Sequence, residues 1–203
     1  QALEHELGQQ ILSWWREARS YQAENRELMD RDAKFYAGDQ WTQDEIRELE
    51  ARGQYAAVYN LVKTNIDWVS GTERRATIDF HVLPRAQDDV ENAAVKTKLL
   101  KHIADDTHFN WHRSNAFLES LIAGVSFLEV GVRGDDTEYP IYLRHQTWRD
   151  CWWDALSREP DLSDARFFIR SKTLPLSIAK AMFPDQIEAL EASSDVVDRY
   201  SLM

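Results

Sequence analysis

Three histidines and two aspartates close together are the side chains in this sequence whose types best suit metal binding. They are His102, Asp105, Asp106, His108 and His112. His108 and His112 are four residues apart, so on a helix they would share one face, as paired imidazole ligands do. A metal-dependent hydrolase that uses Asp105, His108 and His112 is therefore one interpretation. A polar junction between two helices is the other, because the segment has no glutamate base and no identifiable distant ligand.

The single cysteine, Cys151, is the other candidate for chemistry. A nucleophilic cysteine needs a base and electropositive surroundings. Cys151 instead lies between Asp150 and Trp152, and His145, six residues earlier, has no local partner that would orient it. The pattern favours a structural cysteine. One cysteine also excludes an internal disulfide and is typical of a reducing compartment.

Other short patterns point to structure rather than catalysis. Arg133-Gly134-Asp135 spells a cell-adhesion tripeptide, but it lies between two alternating apolar segments, where glycine and aspartate are typical of a tight hairpin turn. The chain has no glycine-rich phosphate loop and no nucleophile elbow. We therefore predict no catalytic, cofactor or metal residues from these patterns.

The composition limits the classes of protein further. The 203 residues carry a formal net charge of −11, and 43% of them are hydrophobic. An acidic chain of this kind is unsuited to broad binding of a DNA phosphate backbone, although DNA could slide past it. No apolar run approaches the roughly 20 residues of a membrane span. Eight tryptophans are present, and they suit either a core or a protein-interaction adaptor surface.

The periodicity of apolar residues predicts an α+β fold, with helices and a small antiparallel sheet. The predicted helices cover residues 1–37, 43–52, 60–75, 88–106, 111–124, 176–183 and 185–192. The predicted strands cover residues 77–83, 126–132, 138–145 and 165–172. The first helix is long and amphipathic, with an apolar stripe at alternating four- and three-residue spacing: Leu7, Ile11, Trp14, Ala18, Tyr21, Leu28 and Phe35. Further core stripes are predicted at Val62, Ile66 and Val69, at Val95, Leu99 and Ile103, and at Leu118, Leu121, Ile122 and Val125.

The segment FYAGDQW, residues 35–41, is predicted to be a corner between two helices. Gly38 stands where a left-handed residue ends a helix. Thr42 and Glu45 then form the capping-box pattern that begins the next helix. This interpretation explains the segment as a helix corner and requires no bound ligand.

Several stretches of the chain follow one another in a recognisable order. The corner reads D-x-x-F-Y-x-G-D-Q-W, and an Asn-led helix follows it, then a G-x-x-R run, a strand with a proline, an acidic-led helix and a Trp-Asp element, and last a helix that ends in Phe-Pro. The positions concerned are Phe35, Gly38, Asp39, Gln40, Trp41, Asn60, Gly71, Arg74, Pro84, Trp153, Asp154 and Pro184. Read in this order, the stretches resemble podovirus-type phage portal proteins, also called head-to-tail connectors.

The resemblance implies a structural virion protein at the capsid vertex. It implies a homo-oligomeric, dodecameric ring through which DNA is packaged and ejected, with the packaging terminase, tail adaptors and capsid proteins as partners. It implies a protein that is not an enzyme, with no cofactor and no membrane. Residues 1–203 would form a single N-terminal wing-like region, without the stem and clip of longer family members. Its expected parts are a long helix (1–37), a mostly helical part with one strand (38–125), a β-rich part (126–175) and C-terminal helices (176–203).

Overall fold

A computed structural model describes residues 2–76, 78–134, 140–188 and 191, with side chains from residue 6 onward. The helices are α1 (Ala2–Ala37), α2 (Gln43–Ala51), α3 (Leu61–Arg75), α4 (Val90–Asp106), α5 (Phe109–Ala123) and α6 (Leu176–Met182). The strands are β1 (Phe127–Val132), β2 (Ile141–Gln146), β3 (Cys151–Trp153) and β4 (Phe168–Arg170). Short 3-10 turns cover Gln87–Asp89, Trp148–Asp150 and Pro184–Gln186. The predicted α+β class is confirmed, and none of the described helices is long and apolar enough to cross a bilayer.

The chain divides into two compact units, residues 1–169 and residues 170–203. The first contains the five longer helices, and its centre is α5, which contacts α1, α3, α4 and both strands of the β1–β2 hairpin. The second contains α6 and the 3-10 turn at Pro184.

Strands β1 and β2 form an antiparallel hairpin, as predicted. Their register pairs Phe127 with Gln146 at one end and Val132 with Ile141 at the other. Gly131 lies under the ring of Tyr142, and a β-carbon built on it would be 2.5 Å from the ring. Any larger residue at position 131 would therefore displace Tyr142. The tip of the hairpin, including Asp135 of the predicted turn, lies outside the described residues.

A second small sheet pairs β3 with β4, and it fastens α1 to the rest of the first unit. We call the contact the clasp: Gln22 and Arg26 of α1 against Trp148, Cys151, Trp152 and Trp153. The guanidinium of Arg26 donates to the carbonyl oxygens of Trp148 (3.2 Å) and Cys151, and it lies 3.6 Å from the centre of the Trp152 ring. Gln22, 4% exposed, donates to the Trp153 carbonyl at 2.6 Å. A cation that is both stacked and hydrogen-bonded holds the helix here, where an apolar core would otherwise be expected.

A buried carboxylate stabilises the loop between β3 and β4. Asp154 is 2% exposed and accepts two hydrogen bonds from the Arg166 guanidinium, at 2.6 and 2.9 Å. It also accepts the backbone N–H groups of Leu156 and Arg166. These donors, the Arg166 guanidinium first, hold the pKa of Asp154 well below its usual range. Arg166 reaches on to Glu17 of α1 at 2.6 Å, so this network also ties the loop to the long helix.

The stripe predicted on α4 does not face the core. Ala93 and Thr97 form the buried face, whereas Val95 and Leu99 are 60% and 53% exposed. The reason is a close approach of the chain before α4: the Val82 N–H donates to the Thr97 hydroxyl oxygen at 3.0 Å. Small residues on α4 permit that approach, and the large residues consequently face outward.

The stripes predicted on α1 and α3 are correct only in part. On α1, Ala18 of the stripe is buried and Trp14 stacks on Phe167, but Tyr21, Leu28 and Phe35 are exposed, and Gln22 is buried beside the stripe. On α3, Ser70 is buried, and Val62 and Val69 are exposed. The apolar periodicity predicts the helices correctly. However, the apolar face of each helix is only partly the face that packs against the rest of this chain.

Three further predictions need correction. Residues 78–83 run extended but are not a strand, because their neighbour is α4 and no described strand pairs with them. The strand predicted at 165–172 is only Phe168–Arg170, and its partner β3 was not predicted. The segment predicted as a helix at 185–192 begins instead with the 3-10 turn Pro184–Gln186. Residues 187, 188 and 191 are helical as predicted, and residues 189, 190 and 192 lie outside the described part.

We predict that Arg26→Lys lowers the free energy of unfolding by about 1–3 kcal/mol, because lysine keeps the charge but leaves clasp carbonyls without the guanidinium donors. Chemical denaturation would measure the loss. Arg19→Lys is the matched control, since Arg19 is exposed and lies 5.4 Å from the Trp15 ring, and it should stay within about 0.5 kcal/mol of the parent. Equal effects of the two variants would contradict the clasp.

A second prediction concerns pH. Because the pKa of Asp154 is lower in the folded than in the unfolded chain, its contribution is fully present above about pH 4, the ordinary aspartate pKa, and is lost as the pH falls further. Asp154→Asn should cost about 1.5–3 kcal/mol at neutral pH and flatten the acid limb of the stability profile. Asp44→Asn, at an exposed ion pair with Arg47, should do neither. An unchanged acid limb in Asp154→Asn would refute this assignment.

Candidate functional site

The histidine cluster does not form a metal site. Within the described residues, no group of three or more His, Cys, Asp or Glu side chains is arranged to hold a metal ion. His108 is the N-terminal residue before α5 and has a positive φ of 51°. The Nδ1 atom of His112 accepts the backbone N–H of His145 at 3.1 Å, which occupies one of its two possible ligand atoms. Burial lowers the pKa of His112, so the ring acts as a neutral acceptor. The arrangement gives no support to the hydrolase interpretation.

A polar cluster that the sequence did not reveal joins α5 to the β hairpin. His145 Nε2 lies 2.8 Å from Glu119 Oε2 and 3.0 Å from the Ser126 hydroxyl, and Thr147 donates to the other oxygen of Glu119. The residue types match a Ser-His-Glu triad. The geometry does not, because serine and glutamate meet the same ring nitrogen, so the carboxylate cannot orient the ring from the opposite side. The cluster is an anchor for β2.

The corner at residues 35–41 assembles five of the positions that carry the portal likeness. Gly38 has a φ of 98°, and the Asp39 N–H donates to the Lys34 carbonyl at 2.9 Å, a Schellman end to α1. Gln40 donates to the Phe35 carbonyl at 3.2 Å, and the Trp41 indole donates to the Ala57 carbonyl at 3.1 Å. The predicted helix stop is therefore confirmed, and so is the capping box of Thr42 with Glu45.

Asn60 connects this corner to α3. Its Nδ2 atom donates to the carbonyl oxygens of Phe35 (3.2 Å) and Tyr36 (2.9 Å). Its Oδ1 atom accepts the Lys63 N–H at 2.9 Å, which caps α3, and also the Gln40 side chain at 3.3 Å. The Asn60 amide thus hydrogen-bonds backbone groups at the end of α1 and at the start of α3. Gln40 contacts the same amide, so these two likeness positions lie side by side.

The other positions of the likeness lie elsewhere. Trp153 and Asp154 belong to the clasp and its loop. Gly71 and Arg74 are on α3, Pro84 precedes α4 in an exposed segment, and Pro184 begins the last 3-10 turn. The structure therefore brings eight of the twelve likeness positions into two structural junctions. Four of these eight, Phe35, Asp39, Gln40 and Trp41, also line an open groove beside the end of α1.

The feature that best indicates a functional surface is a set of large apolar side chains that face outward from the helices. On α3, Trp68 is 74% exposed and Leu61 71%. Most monomeric proteins expose such residues singly, and clusters of them mark interaction surfaces. The outward-facing residues on the helices and the segment before α3 include Tyr21, Leu28, Phe35, Tyr55, Tyr59, Leu61, Trp68, Val95, Leu99 and Trp111.

The tryptophans accordingly divide into two groups. Trp14 stacks on Phe167 with ring centres 5.3 Å apart, Trp15 contacts Trp152, and Trp148 is buried. Trp68 and Trp111 are exposed. The core interpretation is therefore confirmed for the first group, and the interface interpretation stays a prediction for Trp68 and Trp111.

We predict that Asn60→Ala lowers the free energy of unfolding by about 1–2 kcal/mol, the loss typical of an N-cap. The variant also removes the side-chain donor to the Tyr36 carbonyl, while the Phe35 carbonyl keeps its bonds from Gly38 and Gln40. Thermal or denaturant unfolding would show the loss of stability. Asn65→Ala, an exposed asparagine in the same helix, is the control and should change stability by no more than about 0.5 kcal/mol. A similar loss in both variants would mean that the corner does not depend on Asn60.

Comparison with known proteins identifies the family of this chain. Residues 12–201 match the family described as phage P22-like portal protein. A comparison with curated proteins gives no match. The match covers both helix junctions, the outward-facing helices and both small sheets. The chain belongs to the P22-like portal protein family.

Proposed function

We propose that this chain is a structural subunit of a portal ring at one vertex of a phage capsid, where it helps to form the channel for DNA packaging and ejection. The observation that carries the proposal is the family match over residues 12–201, together with the large apolar residues that the helices leave exposed. A portal subunit is a structural component, and its surfaces serve assembly.

The exposed helices support a ring rather than a two-fold dimer. In a closed ring each subunit uses two different surfaces, one toward each neighbour. Outward apolar residues are present on several elements, with Trp68 on α3 and Leu99 on α4 as examples. Distinct surfaces of this kind suit a cyclic homo-oligomer, and a dodecamer is the size we propose.

The charge of the chain supports passage of DNA without tight binding. Nonspecific affinity for DNA comes mainly from cationic side chains, which neutralise phosphates and release their counterions. A chain with a net charge of −11 is poorly suited to that kind of binding. DNA would then slide through the channel, while a packaging terminase supplies the energy. The terminase, tail adaptors and capsid proteins are the proposed partners, and the capsid vertex is the proposed location.

An adaptor that binds other proteins through exposed tryptophans is the second candidate. The exposure of Trp68 and Trp111 favours it. The two candidates differ in self-association, because an adaptor presents these side chains to an unlike protein and needs no second copy of itself.

We predict that the full-length protein assembles into closed rings with twelvefold symmetry, and electron microscopy combined with native mass spectrometry would measure this. The same preparations should bind duplex DNA only weakly at physiological salt. A full-length protein that stays monomeric at the highest concentration reached would contradict the portal-ring proposal and favour the adaptor.

A further inference from the structure

We propose that Trp68 of one copy inserts into a cavity between α4 and β2 of the next copy, and that Arg75 of the first copy pairs with Asp106 of the second. This interface rests on the proposed ring and specifies which two surfaces meet in it. It joins a projecting side chain to a recess on a different part of the neighbouring copy.

The projecting side is the outer line of α3. Trp68 is two residues from both Ile66 and Ser70, which face the core, so it points about 160° away from them. Leu61 and Arg75 are seven residues before and after Trp68, which is two turns, so the three share one outer line. Tryptophan and arginine are the residues most often found at the energetic centre of protein interfaces.

The receiving side is a mainly apolar cavity of about 230 Å³. Its described lining is Leu99, His102, Ile103, Asp106, Thr107, Pro140 and Ile141. This volume is below the roughly 300–1,000 Å³ of cavities that hold small-molecule ligands, and a single large side chain suits it better. Leu99 is half exposed at its edge, and Val95 extends the apolar surface by one turn along α4.

The two sides match in spacing and in charge. Trp68 and Arg75 are seven residues apart on α3, and Leu99 and Asp106 are seven residues apart on α4, so both pairs span about 10.5 Å. With the two helices side by side in the same direction, Trp68 lies over Leu99 while Arg75 lies over Asp106. Asp106 already meets His102 at 3.2 Å, and a carboxylate has room for a second cationic partner. A second copy therefore suits this cavity.

Disulfide cross-linking between two different variants tests the pairing. Thr72→Cys lies one turn after Trp68, and His102→Cys lies one turn after Leu99, so the two thiols would approach each other across the interface. Cys151 is fully buried, so it remains in both variants. Mixed and oxidised, the two variants should give a covalent heterodimer. Neither variant alone should give a covalent dimer, because the contact joins unlike surfaces.

Trp68→Ala, introduced into the Thr72→Cys variant, should lower the yield of the mixed product about tenfold or more, as expected for an interface anchor. Trp111→Ala, which removes another exposed tryptophan, is the matched control and should leave the yield unchanged. Arg75→Glu should also lower the yield, and Asp106→Arg in the partner should restore it.

The outcomes separate this pairing from the portal assignment. Absence of the mixed product at the highest concentration reached, equal cross-linking of either variant with itself, or no effect of Trp68→Ala would each overturn the pairing. Rings that assemble without the mixed product would overturn the pairing alone and leave the proposed portal function intact. A protein that forms neither would contradict both.

Discussion

The guanidinium of Arg26 holds the long helix α1 against β3, in addition to the packing of α1 on α3 and α5. It stacks on Trp152 and donates to backbone carbonyls around β3, in a place where most domains would bury leucine or isoleucine. Gln22 and the Asp154–Arg166–Glu17 network reinforce it from both sides. Because these contacts are directional, they fix the rotation of α1 as well as its position. Replacing the packed face with apolar residues would lose that specification.

This mode of packing has a consequence for the surface. The residues that the helices bury are small or polar, among them Ala18, Ser70, Ala93 and Thr97. Many large apolar residues of the same helices consequently lie outside, on α1, α3 and α4, although Trp14 and Trp15 of α1 pack against Phe167 and Trp152. In an isolated monomer that arrangement would waste hydrophobic burial and invite aggregation. In a ring subunit it is the expected division, since neighbouring copies cover what each chain leaves bare.

Features determined by residues close together in sequence could be predicted, whereas features that depend on tertiary contacts could not. Gly38, Thr42 and Glu45 were interpreted correctly because helix ends are determined by residues next to them in sequence. The hairpin was found by its alternation. Residues 78–83 alternate equally well, yet they lie against Thr97 and not beside a strand, and only the tertiary fold decides that. The Glu119–Ser126–His145 anchor joins three elements and leaves no local pattern. The corner was predicted, but the role of Asn60 as a link between α1 and α3 was not.

If the outward apolar helix faces are contacts between copies of this chain, assembly must shield them from solvent. Hydroxyl-radical footprinting of the assembled and the dissociated protein, read by mass spectrometry at single residues, measures that shielding. Trp68 and Leu99 should be strongly protected on assembly, while Leu156, which is exposed on the loop after β3, should react equally in both states. Equal modification of Trp68 and Leu99 in both states would show that these faces are not contacts between copies.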